Sequence, residues 1–174
     1  IGFGIIIPIL PYFAERYGAN GFMVGLLTSV YLMVQFIFTP IWGVLSDRIG
    51  RRPVILICIF ATSFSYIIFG FAESLLVMFV ARIFGGIFAA KFSTIQAFIA
   101  DVTTKENRSK GMGLFGAAFG LGFILGPVLG GILGQYGFQV PLFFAAGLAL
   151  LNGAVAWFIL PESLSEEVKQ KAAE

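Results

Sequence analysis

The chain has 174 residues, of which 59% are hydrophobic and only 11% charged, against roughly 25% charged in an ordinary soluble domain. Its 11 Lys and Arg and 9 Asp and Glu cannot coat a soluble fold, and the mean hydropathy of +0.97 points to an all-α, multi-pass membrane protein. With no histidine and a single cysteine, Cys58, His/Cys zinc sites, a Ser-His-Asp triad and a disulfide framework are excluded. No metal, cofactor or enzymatic activity is expected, and a net charge of +2 is too small and scattered to suggest nucleic acid.

A helix needs about 20 mostly apolar residues to cross a bilayer. Such stretches run over Ile1–Phe13, Gly21–Val44, Pro53–Ala72, Leu75–Ala100, Gly111–Gln135 and Val140–Leu160. The first opens with Ile1 inside an apolar run, without a basic leader, so it is expected to be a helix cut at its N-terminal end and the chain a fragment. Short connections separate the rest, so sequential helices should be antiparallel. Pro161-Glu162-Ser163 stops the last span. The expected division is therefore a transmembrane bundle over 1–160 and the start of a cytoplasmic linker or tail over 161–174.

Basic residues set the orientation, because cytoplasmic loops are enriched in Lys and Arg. Arg48, Arg51, Arg52, Lys105, Arg108, Lys110, Lys169 and Lys171 fall on one side, and Arg16 alone on the other. Both ends are thus expected in the cytoplasm, with the protein in the cell membrane.

An internal repeat relates the second and fifth spans. Phe36-Ile37-Phe38-Thr39-Pro40-Ile41-Trp42-Gly43 matches Phe123-Ile124-Leu125-Gly126-Pro127-Val128-Leu129-Gly130, and each continues to a glycine, Gly50 and Gly137. The two spans cross in opposite directions, which implies two inverted three-helix units, the plan of many secondary transporters.

The connection Gly43-Val44-Leu45-Ser46-Asp47-Arg48-Ile49-Gly50-Arg51-Arg52 carries more than basic anchors, since it sets an acid among the arginines and glycines around them. Gly43 and Gly50 permit close approach and a tight turn, and Asp47 can accept from an arginine or face a helix N-terminus. This pattern resembles the signature loop between helices 2 and 3 of the major facilitator superfamily. The resemblance implies that Asp47, with Arg51 or Arg52, helps latch the cytoplasmic side against the other half of the transporter. Gly122-Phe123-Ile124-Leu125-Gly126-Pro127-Val128-Leu129-Gly130-Gly131 resembles the glycine-proline motif of that superfamily's drug:proton antiporters. Gly122, Gly126, Gly130 and Gly134 also form a small-residue stripe that admits a close helix at Pro127, so packing and function coincide there. Gly2 followed by Pro8-Ile9-Leu10-Pro11 and the run Ala97–Gly131 are similar to the twelve-helix, tetracycline-type exporters.

In the fourth span Arg82, Gly86, Ala89, Ser93 and Gln96 fall within about a 100° arc of an α-helix. An arginine facing lipid near the bilayer centre costs at least about 2.5–3.5 kcal/mol, so Arg82 should face a cavity or a partner. The family's helix-4 motif begins with arginine, which implies proton coupling or substrate binding at Arg82; a structural ion pair or carbonyl clamp is the other reading. Gly85 and Phe88 depart from that motif. Lys91, on the opposite face, either snorkels or marks a second polar site. Thr28, Tyr31, Gln35 and Thr39 form a polar edge that either lines a path or is satisfied within the bundle, and the 21 Phe residues suit an aromatic-walled pocket.

The expectation is half of a major facilitator fold: a six-helix bundle of two inverted repeats, completed by a C-terminal half or a second copy. It would export drug-like lipophilic compounds by alternating access with proton antiport, or alternatively take up a sugar or organic anion. The expected partners are a small-molecule substrate, protons and the lipid bilayer. Glu15, Glu73, Asp47 and Asp101 all lie at span ends, so a proton-carrying acid is expected outside this chain.

Overall fold

The computed structural model describes residues 2–164, and the tail lysines Lys169 and Lys171 lie outside them. Within that range the chain forms seven α-helices: α1 (Gly2–Glu15), α2 (Gly21–Ile49), α3 (Arg51–Gly70), α4 (Leu75–Ala89), α5 (Phe92–Val102), α6 (Arg108–Gly134) and α7 (Val140–Ile159). The fourth and fifth helices together make one crossing, Leu75–Val102. Among the described residues five segments are long and apolar enough to cross a membrane, and α1 is a shorter apolar helix.

Local chemistry fixes several helix ends. Asn20 caps α2 by accepting from the Met23 amide at 2.9 Å, and Ser74 caps α4 through the Val77 amide at 3.4 Å; side-chain oxygens there satisfy amides that the first turn leaves free. Gly18, Gly50 and Gly137 hold φ values of +81°, +111° and +129°, a backbone region that side chains with a Cβ rarely adopt. The signature segment is not a loop over its length. Residues 43–49 are the last two turns of α2, Gly50 alone makes the turn, and Arg51 and Arg52 begin α3. At 1.5 Å per residue the 29-residue α2 is roughly 43 Å long, well beyond a hydrocarbon core of about 30 Å. Its polar last turns can therefore stay helical outside the lipid.

The inverted repeat is visible in the packing. α1 lies along α6 as α4 lies along α2, while α3 and α7 form the most extensive pair. That central pair is reciprocal: Gly70 of α3 receives the Phe143 ring, and Gly153 of α7 receives the Phe60 ring. The interval from phenylalanine to glycine is the same in both helices, which a pseudo-twofold axis between antiparallel helices requires. Ser63 and Ser65 fasten α3 to its neighbours by donating to the carbonyls of Ala146 on α7 (2.8 Å) and Ala81 on α4 (2.9 Å). The core centres on Ile5, Ile9, Phe13, Leu27, Phe69, Met78 and Leu142. Large apolar residues such as Phe36 and Phe158 stay exposed, as expected of a surface that meets lipid or another helical body.

Candidate functional site

Arg82 of α4 is buried, at 5% exposure. Its guanidinium lies over two aromatic faces, 5.3 Å from the Tyr31 ring centre and 5.1 Å from that of Phe69. Such stacking stabilises a cation by about 2 kcal/mol once water is excluded. It does not satisfy the donors: Nε has no hydrogen-bond partner among the described residues. Beside it opens a cavity of about 100 Å³ walled by Phe3, Ile6, Leu10 and Pro11 of α1 and by Val24, Thr28 and Tyr31 of α2. Tyr31 also stacks on Phe3 at 5.6 Å. The charge thus faces a cavity, as its cost in lipid demands, and its partners are π-faces with no carboxylate among them.

Glycines let the helices around this cavity approach. A Cβ on Gly86 would stand 2.7 Å from the Tyr31 carbonyl oxygen, and one on Gly85 2.6 Å from Ser65 Oγ. On the other side of α1, a Cβ on Gly126 would stand 2.6 Å from Gly4 Cα, and one on Gly130 2.6 Å from the Ile5 oxygen. Pro127 sits between them near Gly4, whose own neighbour is the Gly122 carbonyl. The stripe Gly122, Gly126 and Gly130 is therefore the bed of α1. Gly131 and Gly134 meet nothing within 4 Å, and neither does Gly43, so the close approach expected at Gly43 is not made within the described residues.

At the basic end, Arg51 gathers an ionic cluster. Its Nη1 lies 2.5 Å from Asp47 Oδ1 and donates to Ser46 Oγ at 2.7 Å, and its Nε lies 3.2 Å from Asp101 Oδ2 at the end of α5. Glu162, just past α7, accepts from the amides of Arg51, Ser163 and Leu164 at 2.9, 3.0 and 3.1 Å. Its carboxylate also presses on Gly50, where any side chain would collide with it. The negative group sits where the free amides of α3 make the helix end positive. Arg52 takes another direction, donating to the Trp157 carbonyl at 2.7 Å with its guanidinium 5.9 Å from the Trp157 ring. Arg48 stays exposed along an open groove with Pro40, Ile41, Val44 and Leu45. Of the two arginines named as partners for Asp47, the structure selects Arg51.

The predicted path residues separate. Tyr31 and Arg82 share the cavity; Gln35, Ser93 and Gln96 do not line it. Gln35 is on α2, and the fourth crossing, which carries Arg82, Ser93 and Gln96, is not continuous but breaks at Ala90 and Lys91. The 3.6-residue arc that groups Arg82 with Gln96 assumes a continuous helix, and the chain is interrupted between them. Ser93 donates instead to the carbonyls of Thr39 (3.4 Å) and Ala90 (3.3 Å), and Gln96 is exposed. Thr28 and Thr39 spend their hydroxyls on their own helix, on the Val24 and Gln35 carbonyls. Lys91 is half-buried and donates to Thr62 Oγ1 of α3 at 2.7 Å, so it marks a second polar position. Sequence reasoning missed Asp101 and Glu162 as partners of the signature segment. Their signal was present only in their location, acids at span ends on the side where Arg51 lies. Phe69 as a wall for Arg82 carried no signal at all.

The sequence matches the Major Facilitator Superfamily over residues 1–174. It is 37% identical to Multidrug resistance protein 2 of Bacillus subtilis (strain 168) over 172 residues, covering 98% of this chain and 43% of that protein. It is 38% identical to the class E tetracycline resistance protein of Escherichia coli, covering 98% and 44%. Among solved structures, the human organic anion transporter MFSD10 (TETRAN) superposes with a TM-score of 0.85 at 29% identity, over 95% of this chain and 45% of that one. The chain thus spans less than half the length of these relatives, its helices form half of a major facilitator fold, and it belongs to the major facilitator superfamily.

Proposed function

We propose that this chain is the N-terminal half of a secondary active transporter that exports drug-like lipophilic compounds by alternating access, coupled to proton antiport. Residues 1–160 form one rocking bundle. The segment from Pro161 leads into a cytoplasmic linker, and a C-terminal half or a second copy supplies the facing wall. The protein is multi-pass in the cell membrane with both termini on the cytoplasmic, basic side.

The observation that carries this reading is a buried arginine stacked between aromatic rings at the edge of an apolar cavity. Apolar walls suit lipophilic solutes, and the fixed charge of Arg82 biases which charged or dipolar group approaches. Asp47, Arg48, Gly50, Arg51 and Arg52, following Gly43, form the cytoplasmic gate. Gly122, Gly126, Pro127 and Gly130 give the fifth crossing its close seam with α1, and Gly131 completes the motif outside that seam. The resistance-protein relatives support the substrate class.

Energised inverted vesicles carrying the complete transporter test it. Drug accumulation should collapse with a protonophore and fall at least tenfold in Arg82→Met; equal uptake in the variant would remove the site. Replacing Asp47 by Asn should slow exchange, and unchanged rates would remove the gate.

A second reading has an observation of its own. Arg82 has no carboxylate partner among the described residues, which suits an organic anion as solute, the class named for the human structural neighbour. Competition between an anionic and a cationic lipophile of similar size separates the two.

A further inference from the structure

The fourth crossing is interrupted where nothing in the sequence breaks helices. Ala90, Lys91 and Phe92 include neither proline nor glycine, and kinks in long helices ordinarily have such a cause or an inserted group. At this break the acceptors are looked after. Trp42 Nε1 donates to the Ile87 carbonyl at 2.6 Å, and Ser93 Oγ lies 3.3 Å from the Ala90 oxygen. The donors are not. The amides of Ala90, Lys91 and Thr94 make no backbone hydrogen bond among the described residues. Inside a membrane an unsatisfied backbone group is tolerated only in a buried or watered site.

Two side chains add to the surplus. Thr94 is fully buried and its Oγ1 has no partner among the described residues. It belongs to the first turn of the 11-residue α5, where Cα–Cβ bonds tilt towards the helix N-terminus, so it lies within one turn of the break. Lys91 spends one donor on Thr62 Oγ1, whose own proton is committed to the Cys58 carbonyl at 2.6 Å. No carboxylate lies within salt-bridge distance of Lys91 among the described residues, and its titratable neighbour is the Cys58 thiol. The break thus combines spare donors, the positive end of a helix and, at its N-cap, a lysine without a carboxylate partner among the described residues.

We propose that the break between α4 and α5 is a binding site for a small anionic group, a halide or a carboxylate, held by Lys91, Thr94 and the first amides of α5. The anion accepts from the spare donors and neutralises the ammonium. A water molecule supplies the first service but not the second. This site is separate from the Arg82 cavity, and its test does not depend on transport.

The purified transporter in lipid nanodiscs, in gluconate buffer, is titrated with chloride and separately with acetate. Thermal melting and ³⁶Cl⁻ binding are the readouts. Saturable stabilisation by chloride assigns a halide, and by acetate alone a carboxylate; either supports the site. Lys91→Met should weaken binding at least tenfold, Lys91→Arg should retain it, and Thr94→Val should weaken it about fivefold, the effect of one hydrogen bond of ~1 kcal/mol. The isosteric Thr94→Val keeps the proposal open to refutation if Lys91→Met fails to fold. No saturable response to either anion, or one that both Lys91→Met and Thr94→Val leave unchanged, overturns it and leaves water as the occupant.

Discussion

The two repeats share a backbone plan and differ in what they do with it. α2 and α6 each carry a proline in the last third, Pro40 and Pro127, and each is followed by a left-handed glycine, Gly50 and Gly137. The α1–α6 seam is closed by glycine against backbone, with Gly126 on Gly4 and Gly130 on Ile5. The α2–α4 seam has the same tightness at Gly86, but beside it sits a buried arginine among aromatic rings. Likewise the turn at Gly50 is clasped by Glu162, while the turn at Gly137 meets only Val140, at 3.9 Å. One fold thus supports a seam built for close packing and another built around a charge.

The largest effect should come from the packing seam. Gly126→Val places side-chain atoms inside the space of the Gly4 backbone, which cannot retreat like the end of a flexible side chain. Overpacking of this kind costs about 1–3 kcal/mol, and here it should separate α1 from α6 and abolish accumulation of folded protein in the membrane. Gly131→Ala, on the same helix but with no neighbour within 4 Å, should be neutral or stabilise by up to ~1 kcal/mol. Melting temperatures of the two variants decide. Equal damage at both positions would mean that α6 needs glycine for flexibility rather than for the seam.

Next comes the ionic cluster, whose members differ in burial. Arg51 has a side chain only 11% exposed, Asp101 30% and Asp47 45%. Removing Arg51 leaves two partly solvated acids uncompensated, so Arg51→Gln should destabilise most of the three, by about 1–2 kcal/mol and well below the cost of a broken fully buried pair. Asp101→Asn should follow. Asp47→Asn should cost no more than ~1 kcal/mol of stability, because the pair is half in solvent, while still slowing transport. Thermal unfolding in nanodiscs gives the order. If Asp47→Asn proves the most destabilising, the cluster is held by the signature segment itself rather than by its link to α5.

How far these features could be read beforehand depends on what kind of signal each one leaves. The spans were legible because lipid selects composition, and the repeat because Pro40 and Pro127 and the two turn glycines recur in register. The need of Arg82 for a cavity followed from its charge alone. Helix ends were harder. Ser46, Asp47 and Arg48 are polar, so hydropathy stops before them, yet α2 continues because a helix that has left the lipid can solvate its side chains. The break at Ala90–Lys91 was invisible because those residues favour helix, and with it went the single-face placement of Arg82 with Ser93 and Gln96. Asp101 and Glu162 meet Arg51 only through tertiary packing, which spacing along the chain does not encode.

Trp42 tests whether the break is held from outside. Its indole donates to the Ile87 carbonyl, the group that the Lys91 amide would occupy in a continuous helix. Trp42→Phe keeps most of the ring packing on Phe88, now at 5.4 Å, and strands that carbonyl, at a cost of about 1–3 kcal/mol. The helix has a cheap repair, which is to rewind and return the carbonyl to Lys91. A destabilisation well below that range, with slower amide exchange at Lys91, would mean that α4 and α5 rejoin and that Trp42 maintains the interruption.

The smallest effect should be at the clasp that distinguishes the two turns. Glu162→Gln keeps an oxygen able to accept from the Arg51 amide and removes only the charge. A carboxylate at a helix N-terminus stabilises by about 0.3–1 kcal/mol, screened by salt. The variant should therefore melt slightly earlier at low ionic strength and match the parent at high salt. Glu162→Ala, which also removes the acceptor, should retain a deficit at every salt concentration. If instead both variants lose the same amount and salt restores neither, the clasp works by filling the space over Gly50, and the asymmetry between the Gly50 and Gly137 turns is one of shape rather than of charge.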